Sequence, residues 1–312
     1  MHETPSGQAL AIVIHHVEVA RTRRCLDSLR AQDHPRLAAV VVDHAPASAE
    51  RELANAADHY LRPNSNTGFG GGVREAMSRH AAEVVLLLNP DAVAQPTWAR
   101  DMHAALDADP RHGMAATRVL SATRPGELDS AGLGITRGGM GFLRGHGLPA
   151  DTPEHLLNRT PLLGPSGAAA AYRVKLIEAL GGFPDVYFLY YEDLEVAWRA
   201  QRAGWTCAWV DAPLVSHAHN SSAGRSKRYY LQRGRHLFAR RNPDAVRSRA
   251  DRAVETVLAF GRAMAAGEWG LPSRARYAAR TRPVDALRPA QTTVNLAVPT
   301  WRYLWQRLRR RG

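Results

Sequence analysis

The chain has 312 residues, 45% of them hydrophobic, which is ample for a full core though long for one compact unit. Two cysteines exclude a disulfide framework or a cysteine metal site, and no apolar run approaches the ~20 residues needed to span a bilayer. The formal net charge is +12, but Ala223 to Gly312 alone hold 21 Arg plus Lys against five Asp plus Glu, so a strongly basic tail follows a mildly acidic remainder.

In chain order, Leu10 to Ile14 has strand length and ends in His15-His16, and Arg21 to Ala31 follows with helical spacing. Ala39 to Val42 is a second strand, ending at Asp43-His44-Ala45-Pro46. Asn64 to Val73 places four glycines in five positions, Gly68 and Gly70 to Gly72, a backbone that turns tightly and lets a ligand come close. Taken alone, the cluster is better explained as a structural turn. Val73 to His80 then reads as a helix. The spacing is not a dinucleotide fingerprint, because Val73 stands where a third glycine belongs, and no Lys-Ser or Lys-Thr follows to make a P-loop. A Rossmann oxidoreductase is thereby disfavoured.

Val84 to Leu88 is a buried strand stopped by Asn89-Pro90-Asp91. Asp91 then sits at the carboxyl edge of the sheet, where open α/β sheets bind ligands; capping the helix over Pro96 to Asp107 is its plainer role. Gly126 to Gly147 is glycine-rich and reads as a hairpin, mobile loops or a surface insertion. A helix over Arg173 to Leu180 leads to Gly181-Gly182-Phe183-Pro184-Asp185. The aromatic run Tyr187 to Tyr191 breaks at Glu192-Asp193, and a helix continues to Ala203 with Leu194, Ala197 and Trp198 on its inner face. The two acids either complement the helix dipole or supply a general base. After Gly204, Trp205 to Val210 forms a strand, and Pro213 to His219 ends in a His-x-His pair, a metal-ligand signal. Cys25 and Cys207 read as buried thiols. Alternation of strands and helices argues for an α/β fold, a mainly parallel central sheet with helices on both faces.

The ordered set of Asp43, the Asn-x-Gly-Phe-Gly-Gly-Gly loop, Asn-Pro-Asp, Gly-Gly-Phe-Pro-Asp, Tyr-Glu-Asp and the late His resembles the family 2 glycosyltransferases over roughly Leu10 to Asn242. The branch is that of bacterial rhamnosyltransferases and galactofuranosyltransferases. The resemblance implies the GT-A nucleotide-diphospho-sugar transferase fold, with a catalytic domain over 1–242 and an Arg-rich, mainly helical extension over 243–312. It implies donor contacts from Asp43, Asn66, Gly68, Gly70, Gly71 and Asn89, metal contacts from Asp91 and His217, and a catalytic base at Asp193, with Glu192 orienting the acceptor or the loop. Arg74 stands where the family commonly has asparagine; it pairs with a diphosphate or faces solvent. The chemistry agrees. A diphosphate leaving group gains charge that Mn²⁺ or Mg²⁺ stabilises, and a carboxylate deprotonates the attacking hydroxyl. Direct displacement then inverts the sugar carbon. Rhamnose is the donor that the branch suggests. His15-His16 and Asp43-His44-Ala45-Pro46 depart from the family pattern, which leaves the nucleotide base open and keeps an inactive sugar-nucleotide-binding scaffold as the alternative.

In the tail, Trp301, Leu304, Trp305 and Leu308 share one helical stripe after Pro299, with arginines on the flank. Such a helix either lies on an anionic membrane or packs back on the domain. With neither a signal peptide nor a spanning segment, the expected location is cytoplasmic, peripheral on the inner face of the cell membrane, acting on a glycan or polyprenyl-linked acceptor. Nucleic acid is not an expected partner, because no stacking platform or reading motif accompanies the basic charge.

Overall fold

The computed structural model describes residues 7–218, 226–268, 270–281 and 296–308. The first strands, β1 (Ala9–His15) and β2 (Leu37–Asp43), flank helix α1 (Val19–Arg30), and a short α2 (Glu50–Leu53) leads to β3 (His59–Leu61). Next come α3 (Gly68–Arg79), β4 (Val84–Leu88), β5 (Ala92–Ala94), α4 (Trp98–Asp107) and β6 (His112–Ser121). The glycine-rich stretch forms β7 (Leu128–Ser130) and a hairpin of β8 (Leu133–Thr136) with β9 (Gly141–Leu143). After α5 (Glu154–Leu157) follow β10 (Ala169–Arg173), α6 (Val174–Ala179), α7 (Glu192–Arg202) and β11 (Thr206–His217). The remainder is α8 (Lys227–Arg241), α9 (Arg249–Ala265), α10 (Leu271–Thr281), β12 (Ala297–Val298) and α11 (Thr300–Leu308).

The strand order is β3-β2-β1-β4-β10-β6-β11-β5, with β7 on β6. Pairing is parallel from β3 to β4 and between β6 and β11, but β10 runs antiparallel to both neighbours and β5 antiparallel to β11. The sheet is thus mainly parallel, as expected, with β10 an antiparallel strand within it. The reason is the entry point of β10. Ala169 pairs with Leu88, and the Asn89 N–H donates to the Ala168 carbonyl, so the chain enters at the carboxyl end of β4 and must run back.

Both faces of the central strands are buried, which is why they read as unbroken apolar runs. Leu10, Ile12, Val40, Val42, Val85 and Leu87 face one core with α3, α6, α7 and α8 residues. Ala9, Ala11, Val13, Val41, Leu86 and Leu88 face the other with α1 and α4. Because β1 lies between β2 and β4, the strand order reverses there, and the carboxyl ends of these strands open a crevice.

Two boundaries differ from the sequence expectation. Helix α3 begins at Gly68, not Val73, so the glycines form its first turns. Strand β11 runs on through Pro213, which the register irregularity between Val210 and Val215 accommodates. Where it is described, the basic C-terminal segment is mostly helical, and it contacts the preceding chain: β12 pairs with β8, and the Arg247 N–H donates to the Arg137 carbonyl. Among the described residues no helix is long and apolar enough to cross a membrane.

Candidate active site

A cavity of about 880 Å³ opens at the carboxyl ends of β1 and β4. Its lining includes His15, His16, His44, Asn66, Gly68 and Asn89 together with Asp91, Asp129, His217, Glu192 and Asp193. Strand order thus brings together residues that lie far apart in the chain.

His217, last in β11, stands between two carboxylates. Its Nε2 lies 3.0 Å from Asp91 Oδ1, and its Nδ1 lies 2.8 Å from Asp129 Oδ2. Burial alone would lower the imidazole pKa; the hydrogen bonds to Asp129 and Asp91 outweigh it and push the value up to about 9. The Asn89 side-chain nitrogen is 3.3 Å from the same Nε2. Asp129 was not foreseen from the sequence. It lies in β7 within the glycine-rich stretch, carries no local motif, and reaches the site only because β7 pairs with β6 beside β11. His219, the other half of the His-x-His pair, falls outside the described residues.

Asp91 Oδ1 and His217 Nε2 share a proton here; a divalent cation such as Mn²⁺ or Mg²⁺ would be held by the same two groups once the imidazole gives up that proton. A carboxylate behind the imidazole, here Asp129, is the usual means of fixing ring orientation at such a site. Among the described residues no group of three or more His, Cys, Asp or Glu is placed to hold a metal ion.

The acid pair opens α7 after a backbone in unusual conformations. Phe188, Tyr190 and Tyr191 have φ of 64°, 64° and 80°, a region that side chains rarely adopt. The glycines explain how this turn is held. A Cβ on Gly68 would lie 2.1 Å from the Phe188 carbonyl oxygen, and one on Gly70 would lie 2.8 Å from that of Pro184. The Phe69 N–H donates to Phe188 O at 2.8 Å. At least in these two positions, the cluster serves close packing of the chain against its own loop.

The Glu192 side chain is buried, and its Oε2 has no hydrogen-bond partner among the described residues. Burial, reinforced by the charge of Asp193, pushes its pKa up to about 8. Burial also raises Asp193, against the Gly167 and Leu194 N–H groups that donate to its oxygens at 3.0 and 2.8 Å. Both carboxyls are thus raised; the N–H partners on both Asp193 oxygens oppose the rise there, while the Asp193 charge adds to it at Glu192. One turn on, Glu195 is fully buried. It accepts from Arg241 at 2.8 to 3.0 Å, from Tyr187 Oη at 2.5 Å and from Asn242 Nδ2 at 3.1 Å.

Other expected contacts already have partners within the protein. Asp43 is buried and accepts from the Ala45 and Ala49 N–H groups, Tyr60 Oη and Arg62. Burial acts to raise its pKa, but the bonds from Tyr60, Ala49 and Ala45 hold it below the usual carboxylate range. The cavity is lined at this point by His44 rather than Asp43. Asn66 Oδ1 accepts from the Gly68 N–H at 2.8 Å and caps the glycine turn. Arg74 pairs with Asp185 at 2.5 Å on the surface, closer to the solvent-facing role than to a diphosphate contact.

Residues 10–181 match the family model described as Glycosyl transferase family 2. The chain belongs to that family. A hexosyltransferase of low-salt glycan biosynthesis, Agl10 of Haloferax volcanii, is 27% identical over 55% of this chain and 57% of its own length. The O-antigen chain rhamnosyltransferase WbaN of Salmonella anatum is 36% identical over 25% of this chain. An N-acetylglucosaminyl-diphospho-decaprenol L-rhamnosyltransferase of Mycobacterium tuberculosis is 33% identical over 21%. The chain thus spans just over half the length of the first relative, and 24% and 22% of the other two. Among solved structures, the mannosyltransferase PcManGT of Pyrobaculum calidifontis, in complex with GDP-Man and Mn²⁺, superposes with a TM-score of 0.53 at 18% identity, over 89% of this chain and 77% of that one. TarS 1-349 of S. aureus, in complex with UDP-GlcNAc, gives 0.56 at 14% identity over 86% and 79%. These likenesses establish the GT-A fold.

Proposed function

We propose that this protein is an inverting, metal-assisted glycosyltransferase that moves a sugar from a nucleoside-diphosphate donor to a hydroxyl of a cell-surface glycan or lipid-linked acceptor. The observation that carries this reading is the convergence of Asp91–His217 and Glu192–Asp193 on one cavity at the strand-order reversal. Family membership supports the reaction class. Rhamnose is the favoured donor sugar because two relatives bear that name, each over a quarter of the chain or less. Mn²⁺ in the PcManGT structure supports a divalent cation.

Asp91 and His217 would hold the cation, which when bound offsets the charge that grows on the diphosphate leaving group. Asp129 keeps the His217 ring turned so that Nε2 faces Asp91. Lys227, which lines the same cavity and lies within the field of Asp129 and Asp91, adds positive charge toward the diphosphate. Opposite, Asp193 takes the proton of the attacking acceptor hydroxyl, a contribution of roughly 10² to 10⁴ in rate. Protonated Glu192 beside it is a hydrogen-bond donor that can orient the acceptor. With base and leaving-group site on opposite sides of the transferred sugar, a single displacement inverts its anomeric carbon. The basic tail supports a peripheral location on an anionic membrane face.

The test is sugar transfer by Asp193→Asn, measured together with nucleotide-sugar binding. Transfer should fall by at least about 100-fold with donor affinity within about twofold of wild type. Transfer at the wild-type rate would remove Asp193 as base.

A further inference from the structure

One part of the cavity lining is apolar and aromatic: Leu133, Phe142 and Leu143 of the β8–β9 hairpin, Tyr190, Tyr230 of α8, and Tyr303 of α11. The hairpin abuts the acid pair: the Gly141 N–H donates to Tyr191 Oη at 3.3 Å, and a Cβ on Gly141 would lie 2.7 Å from the Leu194 side chain, next in sequence to Asp193. The Phe142 ring lies over Gly134, where a Cβ would approach it to 2.5 Å, and its centroid is 4.7 Å from that of Tyr303. An aromatic wall therefore begins beside the acids and ends on the C-terminal helix.

Tyr303 is held there by a built attachment. Buried Glu255 of α9 accepts from Thr300 Oγ1 at 2.7 Å and from Thr136 Oγ1 of β8 at 2.5 Å, and it faces Arg235 of α8 at 3.4 Å. The Thr300 N–H donates to Asp251, and β12 adds to β8 just before it. The start of α11 docks on the domain, while Trp301 is 67% exposed. The side chains of Trp305 and Leu308 lie outside the described residues.

We propose that the C-terminal helix completes the acceptor site, and that Tyr303 with Phe142 and Leu143 forms a wall for the hydrocarbon part of a lipid-linked acceptor. The inference rests on the glycosyltransferase reading and deepens it. A free sugar can stack its C–H face on one or two of these rings, whereas a hydrocarbon chain near the reacting sugar gains from all six apolar and aromatic side chains. The segment that supplies Tyr303 also carries the excess of 21 basic over five acidic residues, which complements the anionic headgroup surface such an acceptor occupies.

The probe is a pair of acceptor analogues that differ only in chain length, n-octyl and methyl β-D-glucopyranoside, the former below its micellar concentration. Binding to the full chain is measured by calorimetry with UDP, dTDP, GDP or CDP and Mn²⁺ present, and nucleotide binding is recorded in the same samples. The octyl glycoside should bind at least tenfold more tightly than the methyl glycoside. Tyr303→Ala should reduce octyl binding at least fivefold with methyl and nucleotide binding unchanged, and Tyr303→Phe should retain it. Phe142→Ala should reproduce the alanine effect. Equal binding of the two glycosides, binding of neither, or octyl binding indifferent to Tyr303→Ala and Phe142→Ala would overturn the proposal. Octyl selectivity without any nucleotide binding would leave the apolar wall standing and count against the transferase reading instead.

Discussion

The buried pair Glu195–Arg241 fixes the helix that bears the acids, and its removal is a quantitative test of how α7 is held. Glu195 is inaccessible to solvent and accepts from Arg241, Tyr187 and Asn242. In Glu195→Gln the amide oxygen can keep one or two of these bonds. Its nitrogen, however, faces the guanidinium, and the Arg241 charge loses its partner. Removing one member of a buried pair costs about 3–5 kcal/mol; Arg241 is slightly exposed, so the lower end, about 3 kcal/mol, is expected. At roughly 2–4 °C per kcal/mol for a chain of this size, Tm should fall by roughly 6–12 °C. Arg241→Met should cost less, because Tyr187 and Asn242 still solvate the carboxylate. The double variant should be more stable than the sum of the two losses implies, with a coupling of about 1–3 kcal/mol. Thermal denaturation of the four proteins measures all of this. Turnover should drop in Glu195→Gln while nucleotide affinity holds, since Asp193 lies half a turn away. Single variants that melt within about 2 °C of wild type, or losses that simply add, would refute the anchoring role.

Two further outcomes follow from the same region. Glu192 has its folded pKa raised from 4.5 to about 8, so the native state binds its proton more tightly than the unfolded chain does, and the associated stability is full below about 4.5 and lost as pH rises to about 8. The Tm of wild type relative to Glu192→Gln should therefore decline between pH 5 and 8 and level off above; a constant difference across that range would mean that the carboxyl ionises normally. Gly68→Ala places a side chain at φ +76° against the Phe188 carbonyl. It should cost at least about 1–2 kcal/mol from the backbone conformation alone and lower turnover by displacing the loop that precedes Glu192; melting and transfer rates equal to wild type would show that the loop does not need the glycine.

Much of this fold is visible in the apolar runs, because strands buried on both faces, such as Val84 to Leu88, leave an unbroken signal. The acids at strand and helix ends are visible for a related reason: each interrupts such a run. What stayed hidden depends on distant partners. Glycine disfavours helix interiors, so nothing local announces that Gly68 to Gly72 are helical; their packing against Pro184 and Phe188 decides it. Asp129 sits in a glycine-rich stretch without periodicity and gains meaning only from His217, 88 residues away. The antiparallel entry of β10 is a matter of chain path, not composition. Glu195 looks like one more acid on a helix until α8 brings Arg241 against it.

The most direct test is the melting temperature with UDP, dTDP, GDP and CDP, each with and without Mn²⁺, for wild type and Asp91→Asn. A nucleotide at 100 times its Kd adds roughly 2.7 kcal/mol, so one nucleotide should raise the wild-type Tm by several degrees only when Mn²⁺ is present, and Asp91→Asn should lose most of that shift. A wild type indifferent to every nucleotide–metal combination would contradict a donor site at Asp91 and His217 and return Asp91 to a structural role.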